Sequence, residues 1–257
     1  MRLFDGLILN RFLLSLALAW GACSPAWADT DDTPVARFAS AEVWPWGFEG
    51  PDGAPQGILF ELAEQLAEQA GVSLSNDLRP HRRVILELAE GIVDFSVLFE
   101  APAVSDTAFC LDRLFEVEVW LVAPIASAQT LSLSGLSGKS VGYIRGTWYG
   151  QGFSDADRIN KVPVQNLSQA MDMLVMERID AVITSHVVFL QTLRAMGLAE
   201  ADFRYERIDS AQHVCLYMSR KAQIPALAEP MREAARRIRE SGAIEDITRR
   251  PWPARPR

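Results

Sequence analysis

An α/β fold of two lobes is predicted by three observations. Strand-like and helix-like segments alternate along the chain, one helix–turn–Asp–strand passage occurs twice, and 229 residues remain after a removable leader, enough for a sizeable core. The leader comes first. Arg2 and Arg11 form a positive n-region, residues 12–19 an apolar run, and Ala26-Trp27-Ala28 the small-x-small pattern of a signal-peptidase site. Residues 1–28 therefore read as a signal peptide. The apolar run is shorter than the ~20 residues a membrane span needs, and no later segment reaches that length. Cys23 invites a lipoprotein reading, against which Trp20 stands where a lipobox wants a branched aliphatic residue.

Beyond a polar linker at 29–34, residues 35–44 are apolar and β-compatible. Residues 58–70 then set Leu59, Leu62, Leu66 and Ala70 at helical spacing, with Gly71 placed as a C-cap. Residues 72–78 read as a strand, 84–90 as a helix ended by Gly91, and 93–99 as a buried strand. The second half repeats the grammar: strand 141–145, helix 167–177, strand 179–184, and helix 187–196 before Gly197. Within it, Leu174-Val-Met-Glu177-Arg-Ile-Asp180 echoes Leu88-Ala-Glu-Gly91-Ile-Val-Asp94. Each runs from a helix through a turn to an Asp that opens an apolar strand, which suggests two lobes built on one plan.

Charge and composition remove several functions. The formal net charge is −8, one unit more negative once Arg2, Arg11 and Asp5 leave with the leader, so nucleic acid and anionic membranes are poor partners. His81, His186 and His213 have no metal-ligand spacing, and neither a metal nor a cofactor is predicted. Cys110 and Cys215 remain in an exported chain, where disulfides persist, but spacing alone does not pair them.

Four passages in order resemble the family-3 extracellular solute-binding proteins, the type II periplasmic binding fold of polar amino acid transporters. They are Pro45-Trp46-Gly47-Phe48 followed by Asp52-Gly53 and Gly57-Ile-Leu-Phe-Glu61; Pro80-His-Arg-Arg83 through Gly91-Ile-Val-Asp94; Gly138-Lys-Ser-Val141-Gly-Tyr-Ile-Arg145-Gly146-Thr147; and Ser241-Gly242-Ala-Ile-Glu-Asp-Ile247. The resemblance implies a double-crossover hinge, with crossings near Pro124 and Ile208. Lobe 1 would comprise residues 33–123 plus 209–257, and lobe 2 residues 124–208. It further implies a periplasmic, monomeric protein that captures a small polar solute in the interlobe cleft and presents it to a membrane permease or a sensor receptor.

The same likeness aims specific side chains at that cleft. Arg145, Gly146 and Thr147 form a strand-end loop suited to an anion, since Gly lets backbone N–H groups approach, Thr147 adds a hydroxyl, and Arg145 grips a carboxylate through two parallel bonds. An ordinary turn with Arg145 solvated is the plainer reading. Trp46 and Phe48 stand on the aromatic loop that covers ligand, with core packing the alternative. Arg83, with Arg82 beside it, starts a helix facing the hinge or forms a surface pair, while Phe99, Glu100 and Ser185 occupy strand ends. The strand returning around 212–218 is expected beside the first-lobe strands, which leaves a Cys110–Cys215 bridge and two buried free thiols equally open.

Departures from the family bear on the ligand. No Lys or Arg lies between Arg83 and Arg113 to grip an α-carboxylate, and Ser185 stands where an Asp would hold an α-ammonium. Glu100 at a strand end makes a cationic or hydroxylated solute as plausible as an amino acid. It is also the one residue to nominate as general acid if the chain were a dehydratase or lyase on this fold. No nucleophile–base pair accompanies it, so the chain is read as a binding protein and not an enzyme.

Overall fold

The computed structural model describes residues 33–208 and 212–253. The predicted signal peptide and Cys23 lie outside the described residues. The chain opens with β1 (Val35–Ala41), a small ladder of β2 (Phe48–Glu49) and β3 (Pro55–Gln56), α1 (Ile58–Ala70), β4 (Ser73–Arg79), α2 (His81–Glu90), β5 (Phe95–Phe99), α3 (Pro102–Ser105) and β6 (Ala108–Val117). It continues through β7 (Val119–Pro124), β8 (Ser140–Ile144), α4 (Gln151–Ser154), β9 (Asn160–Val164), α5 (Leu167–Val175), β10 (Ala181–Ser185), α6 (His186–Met196) and β11 (Phe203–Arg207). It ends with β12 (Gln212–Ser219), α7 (Ala228–Ser241) and α8 (Ala243–Arg249).

Two five-stranded sheets carry the two lobes, in the orders β4-β1-β5-β12-β6 and β11-β7-β10-β8-β9. Their shared plan is visible in hydrogen bonds. The Asp94 N–H donates to the Arg37 carbonyl on β1, and the Asp180 N–H donates to the Ser140 carbonyl on β8, so each Asp pins the start of its strand to the neighbouring parallel one. In the first sheet, β12 enters antiparallel between β5 and β6, and α7 packs on β6 and α1. One buried apolar cluster runs through both lobes, including Phe38, Leu62 and Phe95 on one side and Val122, Met171 and Phe189 on the other.

The first crossing lies at Glu118, not near Pro124. β6 ends at Val117 paired with β12, and β7 begins at Val119 paired with β10 and β11. Residues 119–124 thus pair within the second sheet. The run 117–124 is apolar almost throughout, and nothing within it marks where an extended strand changes partners. The second passage leaves β11 at Arg207 and re-enters the first sheet at Gln212.

Local chemistry places the cleft loops. Gly57, before α1, has φ 130°, and a Cβ there would meet the Trp46 carbonyl at 2.7 Å. With no capping side chain, the first N–H groups of α1 are satisfied by that loop. Ile58 donates to Pro45 O at 3.1 Å and Leu59 to Trp46 O at 2.7 Å, which fixes Trp46 at the mouth of the first sheet.

Candidate ligand cleft

Two adjoining cavities lie between the lobes. The inner one, about 70 Å³, takes its walls from β1, β5, β12 and the Trp46 loop of lobe 1 and from residues 144–149, β10 and α6 of lobe 2. The outer one, about 1170 Å³, opens beyond it between the α2 N-terminus and α5. Val43, His81 and Ile144 line both.

Of the residues aimed here from sequence, Trp46, Phe99, Thr147 and Ser185 line the inner cavity, and Arg145 and Gly146 line the outer one. Trp46 is 4% exposed and meets the Phe99 ring edge-on at 5.4 Å. Thr147 donates its N–H to Ile144 O at 3.2 Å across a turn with Gly146 at φ 85°, a conformation that favours glycine. Ser185 N-caps α6, its hydroxyl accepting the Val188 N–H at 3.3 Å. Its own hydroxyl hydrogen is left for another acceptor.

Three predicted residues line neither cavity. Phe48 sits on the short β2–β3 ladder and packs edge-on against Trp252 at 6.1 Å. Arg83 turns along its helix to Glu87, Nε–Oε1 2.7 Å. The cause is helix phase: α2 begins at His81, directly after Pro80, and this brings His81 and Arg82 to the cleft with Arg83 rotated past it. Glu100 follows β5, its N–H donating to the His213 carbonyl on β12, and Arg113 on β6 donates to both its carboxylate oxygens at 2.7 and 3.1 Å.

Glu100 also lies 3.1 Å from the Sγ of Cys215. Cys215 is disulfide-bonded to Cys110 across β6 and β12, with Cα atoms 5.7 Å apart. Glu100 and the two cysteines form a cluster of ligand-type atoms, but the S–S bond takes both thiolates, so it offers no metal site.

Sequence reading missed His81, Trp148, Tyr149, Thr184 and Gln212. Trp148 and Tyr149 directly follow Thr147, and an aromatic pair after a strand-end loop was the available signal. Burial drives the Tyr149 phenol above its ordinary value of 10, against hydrogen bonds to the Ile144 backbone and the Thr147 side chain. Burial, and then the Arg82 charge, lower the His81 imidazole from 6.5 and favour its neutral form at the junction of the cavities. Among the described residues, the inner lining contains no Asp, Glu, Lys or Arg. The outer lining has Arg82 and Arg145, one from each lobe, together with Glu42 and Asp172.

Two sheets joined by strands that cross twice around such a cleft decide the architecture. The fold is that of the periplasmic solute-binding proteins. No family model and no curated protein sequence matches the chain; the likeness is three-dimensional. The BvgS VFT2 domain of Bordetella pertussis superposes with a TM-score of 0.69 at 17% identity, covering 85% of this chain and 95% of that one. A histidine kinase sensor domain with similarity to periplasmic binding proteins gives 0.68 at 18% identity, covering 84% and 94%. An ancestral arginine-binding protein bound to arginine gives 0.66 at 22% identity, covering 83% and 96%. The fold is thus shared with a histidine kinase sensor domain and with the substrate-binding protein of an amino acid ABC transporter, which superposes with a TM-score of 0.66 at 16% identity, covering 83% of this chain and 97% of that one. Among the described residues no helix is long and apolar enough to cross a membrane.

Proposed function

We propose that this chain is an exported, periplasmic solute-binding protein, monomeric, which closes its two lobes over a small solute and presents the closed form to a membrane permease or a sensor receptor. The observation that carries this reading is the inner cavity, whose walls come from both lobes, with the strands of the two sheets joined at Glu118 and after Arg207. A ligand touching both walls binds the closed arrangement better than the open one, and that difference in affinity is what shifts the population. The neighbour that is the substrate-binding protein of an amino acid ABC transporter supports capture for transport, and the histidine kinase sensor domain supports capture for signalling. Capture without reaction is favoured because Glu100, the one carboxylate nominated as an acid, is engaged by Arg113 and lines neither cavity.

Thermal melts of the leaderless protein against amino acids, polyamines, organic acids, sugars and small neutral ring compounds test this. A true ligand at about 100 times its Kd adds roughly 2.7 kcal/mol, and X-ray scattering should show a smaller radius of gyration with it bound. A ligand that stabilises without contraction would remove the closing-cleft mechanism.

A further inference from the structure

We propose that the inner cavity takes a small neutral ring compound bearing one hydrogen-bond donor, of the phenol type, and not a zwitterionic amino acid. This rests on the solute-capture reading above and names its ligand class.

The described residues of the inner walls include the rings of Trp46, Phe99, Trp148 and Tyr149 and no ionisable acid or base other than His81 and the Tyr149 phenol. Both are held neutral, the imidazole by its lowered and the phenol by its raised pKa. An amino acid buried here would have to leave an ammonium and a carboxylate without counter-charges, which desolvation penalises heavily. The residue placed to hold an ammonium is Ser185, whose hydroxyl already serves as the cap of α6. A flat, uncharged ring meets the opposite demand, since aromatic walls favour stacked and edge-on contacts with it. The small volume suits a single ring better than an extended side chain such as arginine's.

One polar atom specifies more. Gln212, at the start of β12 where the chain re-enters the first sheet, is 7% exposed and lines this cavity, and its enclosed Oε1 accepts no hydrogen bond from the described residues. A buried acceptor without a donor is costly, and a small turn of this amide toward the cavity would let a ligand O–H or N–H supply the missing bond. Phenol has such a group; toluene is nearly its isostere and has none.

Calorimetric titration of the leaderless protein with phenol, toluene, L-arginine and L-glutamine tests the assignment. Phenol should bind, toluene about tenfold more weakly, and the two amino acids not at all. Gln212→Leu should remove the preference, binding toluene at least as well as phenol, and that retained toluene binding shows that the variant is folded. Trp46→Ala should weaken both ring compounds. Binding of arginine or glutamine without phenol would overturn the ligand class and leave solute capture standing. Equal affinities of the native protein for phenol and toluene would remove Gln212 from recognition and overturn the donor requirement. Failure of these four compounds, and of every compound in the thermal panel, would overturn both readings.

Discussion

Asp94 is fully buried and ties three segments together. Its carboxylate accepts from Arg37 Nε and an Arg37 terminal nitrogen, each at 2.7 Å, and from the Gln223 N–H at 2.7 Å. Its echo, Asp180, accepts the Ser140 N–H at 2.8 Å and faces Lys139 at 3.3 Å while remaining partly exposed. Removing a carboxylate from a buried, hydrogen-bonded pair strands its partner, so Asp94→Ala should lower stability by about 3 kcal/mol. Asp180→Ala should cost about 1 kcal/mol. Urea unfolding of both variants measures the difference, and equal losses would refute the distinction. The pair was legible in the sequence as a repeated turn, because an Asp at that point has a backbone task in each lobe. The unequal burial was not, since it depends on Arg37 and Gln223, which are 57 and 129 residues away. Cys110 and Cys215 yield a second test. Their loop spans 105 residues, for which chain entropy gives at most about 5 kcal/mol. Titration of the unfolded, unreduced leaderless protein should find no reactive thiol, and reduction should lower the melting temperature. Two free thiols would contradict the bridge.

At the scale of elements, the hinge is the place where sequence reading slipped. Glu118 accepts from Trp120 Nε1 at 2.9 Å and from Arg207 at 3.0 Å, so its side chain joins the first crossing to the strand that leads into the second. Its N–H donates to Nδ1 of His186 at 3.1 Å, and the His186 N–H donates back to the Glu118 carbonyl at 3.0 Å. The stacked rings of Trp120 and Tyr205, 4.0 Å apart, flank this arrangement. Such a cluster unites residues from β7, α6 and β11, and no local pattern announces it. The missed first turn of α2 has the same kind of cause, because His81, Arg82 and Arg83 show no apolar period and only Pro80 marks the start. A pH prediction belongs here. Nδ1 can accept only while the imidazole is neutral, and burial lowers the His186 pKa from 6.5 despite the opposing Glu118 backbone hydrogen bond and charge. A histidine lowered on folding contributes stability that is complete above its unfolded value and is lost as pH falls below it toward the folded one, because the unfolded chain then binds the extra proton. His81 shifts the same way. Melting temperature should therefore decline from about pH 6.5 downward, before most carboxylates titrate. His186→Asn, which keeps an acceptor near the Nδ1 position, should flatten part of that decline. An unchanged slope would separate the histidine from the effect.

Across the whole molecule, the chain's last described segment forms a third link between the lobes. Gln191, on α6 of lobe 2 and 2% exposed, donates through Nε2 to the carbonyls of Thr248 and Arg250 at 3.2 and 2.7 Å, and its Oε1 accepts the Trp252 N–H at 3.2 Å. That segment is anchored to lobe 1 as well. Arg250 pairs with Glu61 on α1 and lies over the Trp252 ring, Trp252 meets Phe48 edge-on, and Trp44 donates to the Pro253 carbonyl at 2.9 Å. Phe48 thus packs into the strap that crosses between the lobes, which explains why it lines neither cavity. Two strands at the hinge leave lobe motion free about one axis, whereas a hydrogen-bonded strap adds a term that must be broken before the lobes separate. Truncating Gln191 leaves two carbonyls and one N–H of the strap without partners, at a cost of about 1–3 kcal/mol. Gln191→Ala should therefore melt at a lower temperature and, in the absence of ligand, show a larger radius of gyration by X-ray scattering. Because part of the binding energy must then restore the closed arrangement, its ligand affinity should fall in proportion to the closed fraction lost. A lowered melting temperature with unchanged scattering and affinity would reduce Gln191 to a packing residue, and the strap would have no part in lobe closure.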